Sequence, residues 1–231
     1  MKIRIEHCSL GTTRIEWGMC YRWQSLPLAH HYESVPTIGL SIADARNFAL
    51  TEAIRDELDI LFFYDDDVMP RGSNGVQMLI ESLIKNPGVT AISGVYPMKS
   101  ALPAPVVFKE PGGGYWDGWK DGKLHKIFAA ATGFMAISIP TLLTDAEMPE
   151  QYELEGKELG HQLYRFVTCH SEQTDEFVLG TWFEANEKTW LVHGGVVCNQ
   201  VDRDGRVYQV EDYDRIVTDW SEHGDREPSV Q

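Results

Sequence analysis

The sequence predicts an α/β fold, and three observations predict it. Strand-like apolar runs alternate along the chain with amphipathic helical segments, the pattern of a sheet covered by helices. One run, Ile60-Leu61-Phe62-Phe63-Tyr64, is apolar throughout, as a buried central strand must be. Three consecutive carboxylates, Asp65-Asp66-Asp67, end that run and carry acid to the sheet edge where open α/β folds bind ligands.

The elements follow in chain order. Lys2 to Ile5 alternates and reads as the first strand. Trp17, Met19, Cys20, Tyr21, Trp23 and Leu26 mark a packed helix, and Thr37 to Ser41 is a connector or short strand. Asp44 to Leu58 reads as a helix with Ala45, Phe48, Ala49, Ala53 and Ile54 on its apolar side, capped by Asp44 or Ser41. Ser73 to Lys85 is a second helix, with Val76, Leu79, Ile80, Leu83 and Ile84 at helical spacing and Asn86-Pro87-Gly88 ending it. Val89 to Val95 is the next strand. Beyond Tyr96, Pro97, Pro103, Pro105 and Pro111 break regular structure, and Tyr115 to Lys123 reads as a β-hairpin with glycine turns. Ile127 to Ile139 forms one or two strands interrupted near Gly133. Thr174 to Asn186 is a helix, Thr189 to Val201 a strand, Asp202 to Gly205 a turn, and Glu211 to Glu222 a polar terminal helix.

Bulk properties narrow the function. At 231 residues and 43% hydrophobic content the chain suits one folded domain rather than a disordered polymer. A formal charge of -15 argues against broad electrostatic binding to nucleic acid or anionic membrane, while leaving room for a local basic groove. No apolar run is long enough for a membrane span and Met1 to Glu6 is no signal peptide, so a soluble, cytoplasmic protein is expected. Cys8, Cys20, Cys169 and Cys198 form no CxxC pair, and neither HExxH, a P-loop nor GxGxxG occurs.

The acid triplet is the strongest chemical signal. Adjacent carboxylates repel one another and are most tolerable around a cation, and hard divalent ions take oxygen ligands. In an extended strand Asp65 and Asp67 point one way and Asp66 the other, which favours Asp65 and Asp67 as the sharing pair. A solvated acidic turn with Asp67 capping a helix is the competing reading.

Further segments keep a definite order: Asp44-Ala45-Arg46-Asn47, the acidic strand, Ser93-Gly94-Val95-Tyr96-Pro97, Ala131-Thr132-Gly133-Phe134-Met135, and an acidic helix start near Asp175. From Asp44 to Asp202 that order resembles the GT-A glycosyltransferases, in particular the small family-two-like members of bacteria and phages. The resemblance implies a mixed, mainly parallel sheet flanked by helices. It implies one domain with a nucleotide-binding half over 1–97, an acceptor and catalytic half over 98–210 and a tail over 211–231. It also implies a UDP- or GDP-linked sugar donor, with Mn²⁺ or Mg²⁺ held by Asp65 and Asp67. Asp65 then also meets the ribose, and Asp66 is a weaker donor-site candidate. Arg46 approaches the nucleotide or pairs with the acids, unless it is a surface arginine bonded to Asp44. Gly133 admits the donor sugar to the backbone, unless it marks a strand bulge. Trp116 and Trp119 stack on sugar or base, unless they pack across the hairpin. Asp175 takes the base position of inverting members, with Glu172 and Glu176 as neighbouring alternatives and a simple helix-start acid as the plainer reading.

Two departures stand out. Thr174 replaces the acid expected before Asp175, and Cys198-Asn199-Gln200 falls where relatives place a third metal ligand, a histidine. His193 lies seven residues before Gln200. Water or phosphate oxygens completing the shell suit Mg²⁺. The expected function is metal-dependent transfer of a sugar to a glycan, a protein or a modified DNA base, the last disfavoured by charge. The alternatives are a nucleotidyltransferase on a similar sheet and a non-catalytic sugar-binding protein. The former ranks lower because Cys8 to Arg14 offers one glycine and one basic residue where a glycine-rich basic loop is usual.

Overall fold

The computed structural model describes residues 1–9, 32–38, 40–149, 151–154, 157–161 and 175–223. The segment from Trp17 to Leu26, expected to be helical, lies outside them. Among the described residues the main sheet has nine strands. Its centre is built from β1 (Ile3–Ser9), β2 (Tyr32–Ile38), β3 (Ile60–Tyr64), β5 (Ala91–Val95), β9 (Phe134–Ser138) and β12 (Trp190–Val201), in the order β12-β5-β9-β3-β1-β2. All of these run one way except β9, which enters antiparallel between β3 and β5. Short β4 (Val68–Pro70), β7 (Leu124–Ile127) and β13 (Val207–Tyr208) add antiparallel pairings to β12. β6 (Val107–Phe108) pairs with β8 (Ala129–Ala130).

Side-chain alternation along β3 divides the core in two. Leu61 and Phe63 pack on one face with Ala45, Ala49, Leu50 and Ala53 of α1 (Ile42–Arg55). Ile60, Phe62 and Tyr64 pack on the other with Val76, Leu79, Ile80 and Leu83 of α2 (Gly75–Lys85). The small residues of α1 bring its backbone close to the sheet. Ser41 is its cap, its Oγ accepting the Asp44 N–H at 3.2 Å. Two residues assigned to apolar faces turn outward: Phe48 is 36% and Ile84 45% exposed. The buried face of α1 is instead widened by Arg46 and Asn47.

The stretch from Tyr115 to Lys123 is not a hairpin. Tyr115 makes a single bridge to Phe108, Trp116 N–H donates to Val107 O at 2.8 Å, and a 3₁₀ turn covers Gly118–Asp121. A side chain at Gly118 would meet the Trp116 ring at 2.2 Å, so this glycine exists to let the indole fold back over the backbone. The chain then pairs with β12 through β7 rather than with itself. A two-stranded hairpin of β10 (Gln151–Leu154) and β11 (Lys157–His161), unforeseen from sequence, lies alongside α1. The helices α3 (Ile139–Leu143), α4 (Asp175–Ala185) and α5 (Val210–His223) complete the described structure. Among the described residues no helix is long and apolar enough to cross a membrane.

Candidate functional site

The acid triplet sits in a turn, not in a strand. β3 ends at Tyr64, and the chain reverses into β4 through Asp65–Asp67. Backbone bonds fix this turn from several sides. Asp65 N–H donates to Gly133 O at 2.8 Å, continuing the β3–β9 ladder by one residue. Val68 N–H donates to Asp65 O at 3.3 Å and closes the turn. Val201 N–H, at the end of β12, donates to Asp67 O at 2.8 Å. Strand alternation therefore does not set the carboxylate directions, which corrects the sequence argument.

Each of the outer acids faces its own cation. Arg46 Nη2 lies 2.7 Å from Asp65 Oδ2, and Lys99 Nζ contacts Asp67 Oδ2. Both carboxylates are 13% exposed. Arg46 is buried, with its guanidinium 6.0 Å from the Phe63 ring. It is not a surface arginine: α1 carries it under the sheet edge to Asp65. Asp66 is half-buried, its N–H reaching Cys8 O at 3.4 Å.

Gly133 serves Asp65. A β-carbon there would fall 2.2 Å from Asp65 Oδ2 and 2.6 Å from the Tyr96 hydroxyl. The Gly133 N–H donates to that hydroxyl at 2.7 Å. Burial, then the neighbouring charge of Asp65, holds the Tyr96 phenol protonated well above the usual tyrosine range. Glu176, in the first turn of α4, adds weakly to the same shift and to that of Tyr115. Asp175 is the first residue of α4; its side chain, Glu172 and Thr174 lie outside what is described.

Lys99 and the Tyr96 hydroxyl enlarge the site beyond the sequence candidates, among which Glu176 already stood as an alternative to Asp175. Lys99 carried one overlooked signal, being the single charged residue between Thr90 and Phe108. The histidine question resolves in register. β12 passes the acid turn at Gln200 and Val201, with Gln200 opposite Val68. His193 pairs with Leu124 further up the strand, and its Nδ1 accepts the Gly195 N–H at 3.1 Å. Asn199 accepts from Arg71 Nε at 2.7 Å. Among the described residues no group of three His, Cys, Asp or Glu side chains is arranged to hold a metal. The donor set still suits a hard divalent ion: two carboxylates at one turn, each already drawing a positive group.

The tryptophans part company. Trp119 is 5% exposed and belongs to the core. Trp116 is half-buried, edge-on to His125 at 5.0 Å and covered by Lys109 Nζ at 4.9 Å. Lys109 also lines a groove of about 460 Å³ floored by Phe128, Phe183 and Trp190. Trp190 pairs with Ala91, at the amino end of β5, so this groove opens at the opposite end of the sheet from the acid turn. Ligands of open α/β sheets bind outside the carboxyl ends of the strands, and the acid turn is the site that position favours.

No family model and no curated protein matches this chain. Solved structures do resemble it. The viral protein A197 from STIV aligns with a TM-score of 0.59 and 14% identity, over 90% of this chain and 94% of its own. GalNAc-T7, a glycosyltransferase crystallised with UDP, GalNAc and Mn²⁺, aligns with a TM-score of 0.56 and 10% identity, over 96% of this chain and 48% of its own. The chain has a GT-A-like fold. At these identities the likeness is one of fold; this chain spans about half the length of the GalNAc-T7 chain.

Proposed function

We propose that this chain is a metal-dependent, family-two-like glycosyltransferase that moves a sugar, with inversion, from a UDP- or GDP-linked donor. The observation that carries the reading is the Asp65–Asp67 turn at the carboxyl end of β3, with a buried arginine on Asp65. The likeness in fold to a glycosyltransferase crystallised with UDP and Mn²⁺ supports it. Asp65 and Asp67 would hold Mn²⁺ or Mg²⁺, whose charge neutralises the departing diphosphate. Arg46 fixes Asp65, and Gly133 leaves the space that this carboxylate fills. Asp175, opening α4, takes the acceptor proton as the new bond forms, and Glu176 is the neighbouring candidate for that role. The acceptor is a glycan, a protein or a modified DNA base; a charge of -15 works against the last.

The test is nucleotide release. Incubated with a panel of UDP- and GDP-sugars and Mn²⁺ or Mg²⁺, the protein should slowly liberate UDP or GDP even without acceptor, and Asp67→Asn should abolish this together with metal-linked nucleotide binding in calorimetry. Pyrophosphate released from a nucleoside triphosphate would point to nucleotidyl transfer instead. Binding of a sugar nucleotide without turnover would leave a non-catalytic binder.

A further inference from the structure

Asp65 and Asp67 hold their cations in unlike ways. The Asp65 pair is built in: Arg46 is buried on α1, and Asp65 is wedged against Gly133. The Asp67 pair joins a carboxylate 13% exposed to a lysine 21% exposed. Lys99 stands on a short loop whose backbone is clamped. Val106 N–H donates to Tyr96 O at 3.1 Å, Met98 N–H donates to Ala104 O at 2.9 Å, and Pro97 bridges Pro105. The Ser100 N–H closes back on Met98 O at 3.1 Å. The lysine stem is flexible and its ammonium is a compact point charge. Its head group can therefore leave Asp67 while the loop stays where it is.

We propose that Lys99 is the exchangeable counter-cation of Asp67: its ammonium holds the carboxylate until a divalent ion binds there, then turns to the donor's diphosphate. The proposal rests on the nucleotide-sugar reading of this site. A divalent ion and an ammonium on the same carboxylate repel each other, so at Asp67 each weakens the hold of the other. A released ammonium beside a bound diphosphate regains an anionic partner. Metal alone then binds against Lys99, whereas metal with nucleotide binds with its help. Arg46 takes no part in the exchange, because it has no comparable freedom to leave Asp65.

The experiment compares the wild-type chain with Lys99→Gln and with Lys99→Met, which keeps the apolar stem, after thermal melting has shown both variants folded. Mn²⁺ alone is titrated by electron paramagnetic resonance. UDP and GDP are titrated by calorimetry at saturating Mn²⁺. Loss of the lysine is expected to tighten Mn²⁺ binding without nucleotide roughly three- to tenfold, on the scale of one ion pair. The same variants should bind nucleotide in the presence of Mn²⁺ roughly tenfold more weakly, on the scale of one charge-assisted hydrogen bond. Mn²⁺ binding that is unchanged or weaker in the variants overturns the exchange, whatever the nucleotide does. Tighter Mn²⁺ binding with undiminished nucleotide affinity overturns the transfer of the ammonium to the diphosphate. If neither nucleotide binds any of the proteins while the variants still sharpen Mn²⁺ binding, the competition stands and the nucleotide-sugar reading falls.

Discussion

Gly133 and Asp65 interlock: the carboxylate occupies the space that any β-carbon at position 133 would need, 2.2 Å from Oδ2. Gly133→Ala must displace both Asp65 and the Tyr96 hydroxyl, which lies 2.6 Å from the same point. Overpacking of this kind costs about 1–3 kcal/mol. Urea unfolding should show a loss in that range, and calorimetry should show weakened Mn²⁺-linked nucleotide binding. Wild-type values in both measurements would mean that Asp65 is not held by this contact.

The first turn of α4 should separate binding from chemistry. Asp175→Asn is expected to leave donor affinity nearly unchanged and to lower kcat by about 10²–10⁴, the range of a lost general base. Glu176→Gln is the control, because its charge reaches Tyr96 and Tyr115. Should Glu176→Gln lose turnover while Asp175→Asn keeps it, the base is one residue further along the helix.

Trp119 should behave as core. It is buried at 5% exposure, and Trp119→Ala is expected to cost about 3–5 kcal/mol in chemical denaturation. Trp119→Phe keeps most of the packing and should bind sugar nucleotide as the wild type does. A phenylalanine variant of unchanged stability and lost affinity would return this ring to the ligand site.

Acid should loosen the 3₁₀ turn through Asp121. The His125 ring, whose Nε2 lies 2.6 Å from Oδ1, and then the Lys123 N–H at 2.9 Å, hold its carboxyl down at about 2. The folded value lies below the unfolded one of about 3.9. Its contribution is therefore complete above about pH 4 and fades as pH falls through about 2. Melting curves of wild type and Asp121→Asn should differ at pH 5, by a gap that narrows steadily as pH falls to about 2. A gap that is constant over that window would assign the effect to something other than this titration.

What the sequence disclosed depended on how local the cause was. β3 spans Ile60 to Tyr64 as expected, because an apolar run buried on both faces leaves little ambiguity, and its acid terminus is visible in the same eight residues. Arg46 was legible only as part of an ordered pattern; its burial depends on α1 lying on the sheet. The exposure of Phe48 and Ile84 shows the limit of helical periodicity at the edge of an apolar face, where neighbouring elements decide which residues are covered. Lys99 pairs with Asp67 across thirty-two positions through a loop closed by Tyr96 and Val106, and no local pattern announces such a contact. The hairpin expected from Tyr115 to Lys123 is replaced by the 3₁₀ turn at Gly118–Asp121, and the strand that follows, β7, pairs with β12, a long-range partner that local periodicity does not reveal.

The insertion of β9 between β3 and β5 makes the chain hard to divide. A fragment ending before Phe134 would keep both neighbours and lose the strand that joins them, exposing two facing rows of backbone donors and acceptors along fully buried apolar segments. Unpaired edges of that character recruit strands from other molecules. Truncated products of this protein would thus be lost to self-association, and splitting it for complementation would succeed only at a cut that leaves those three strands on one piece.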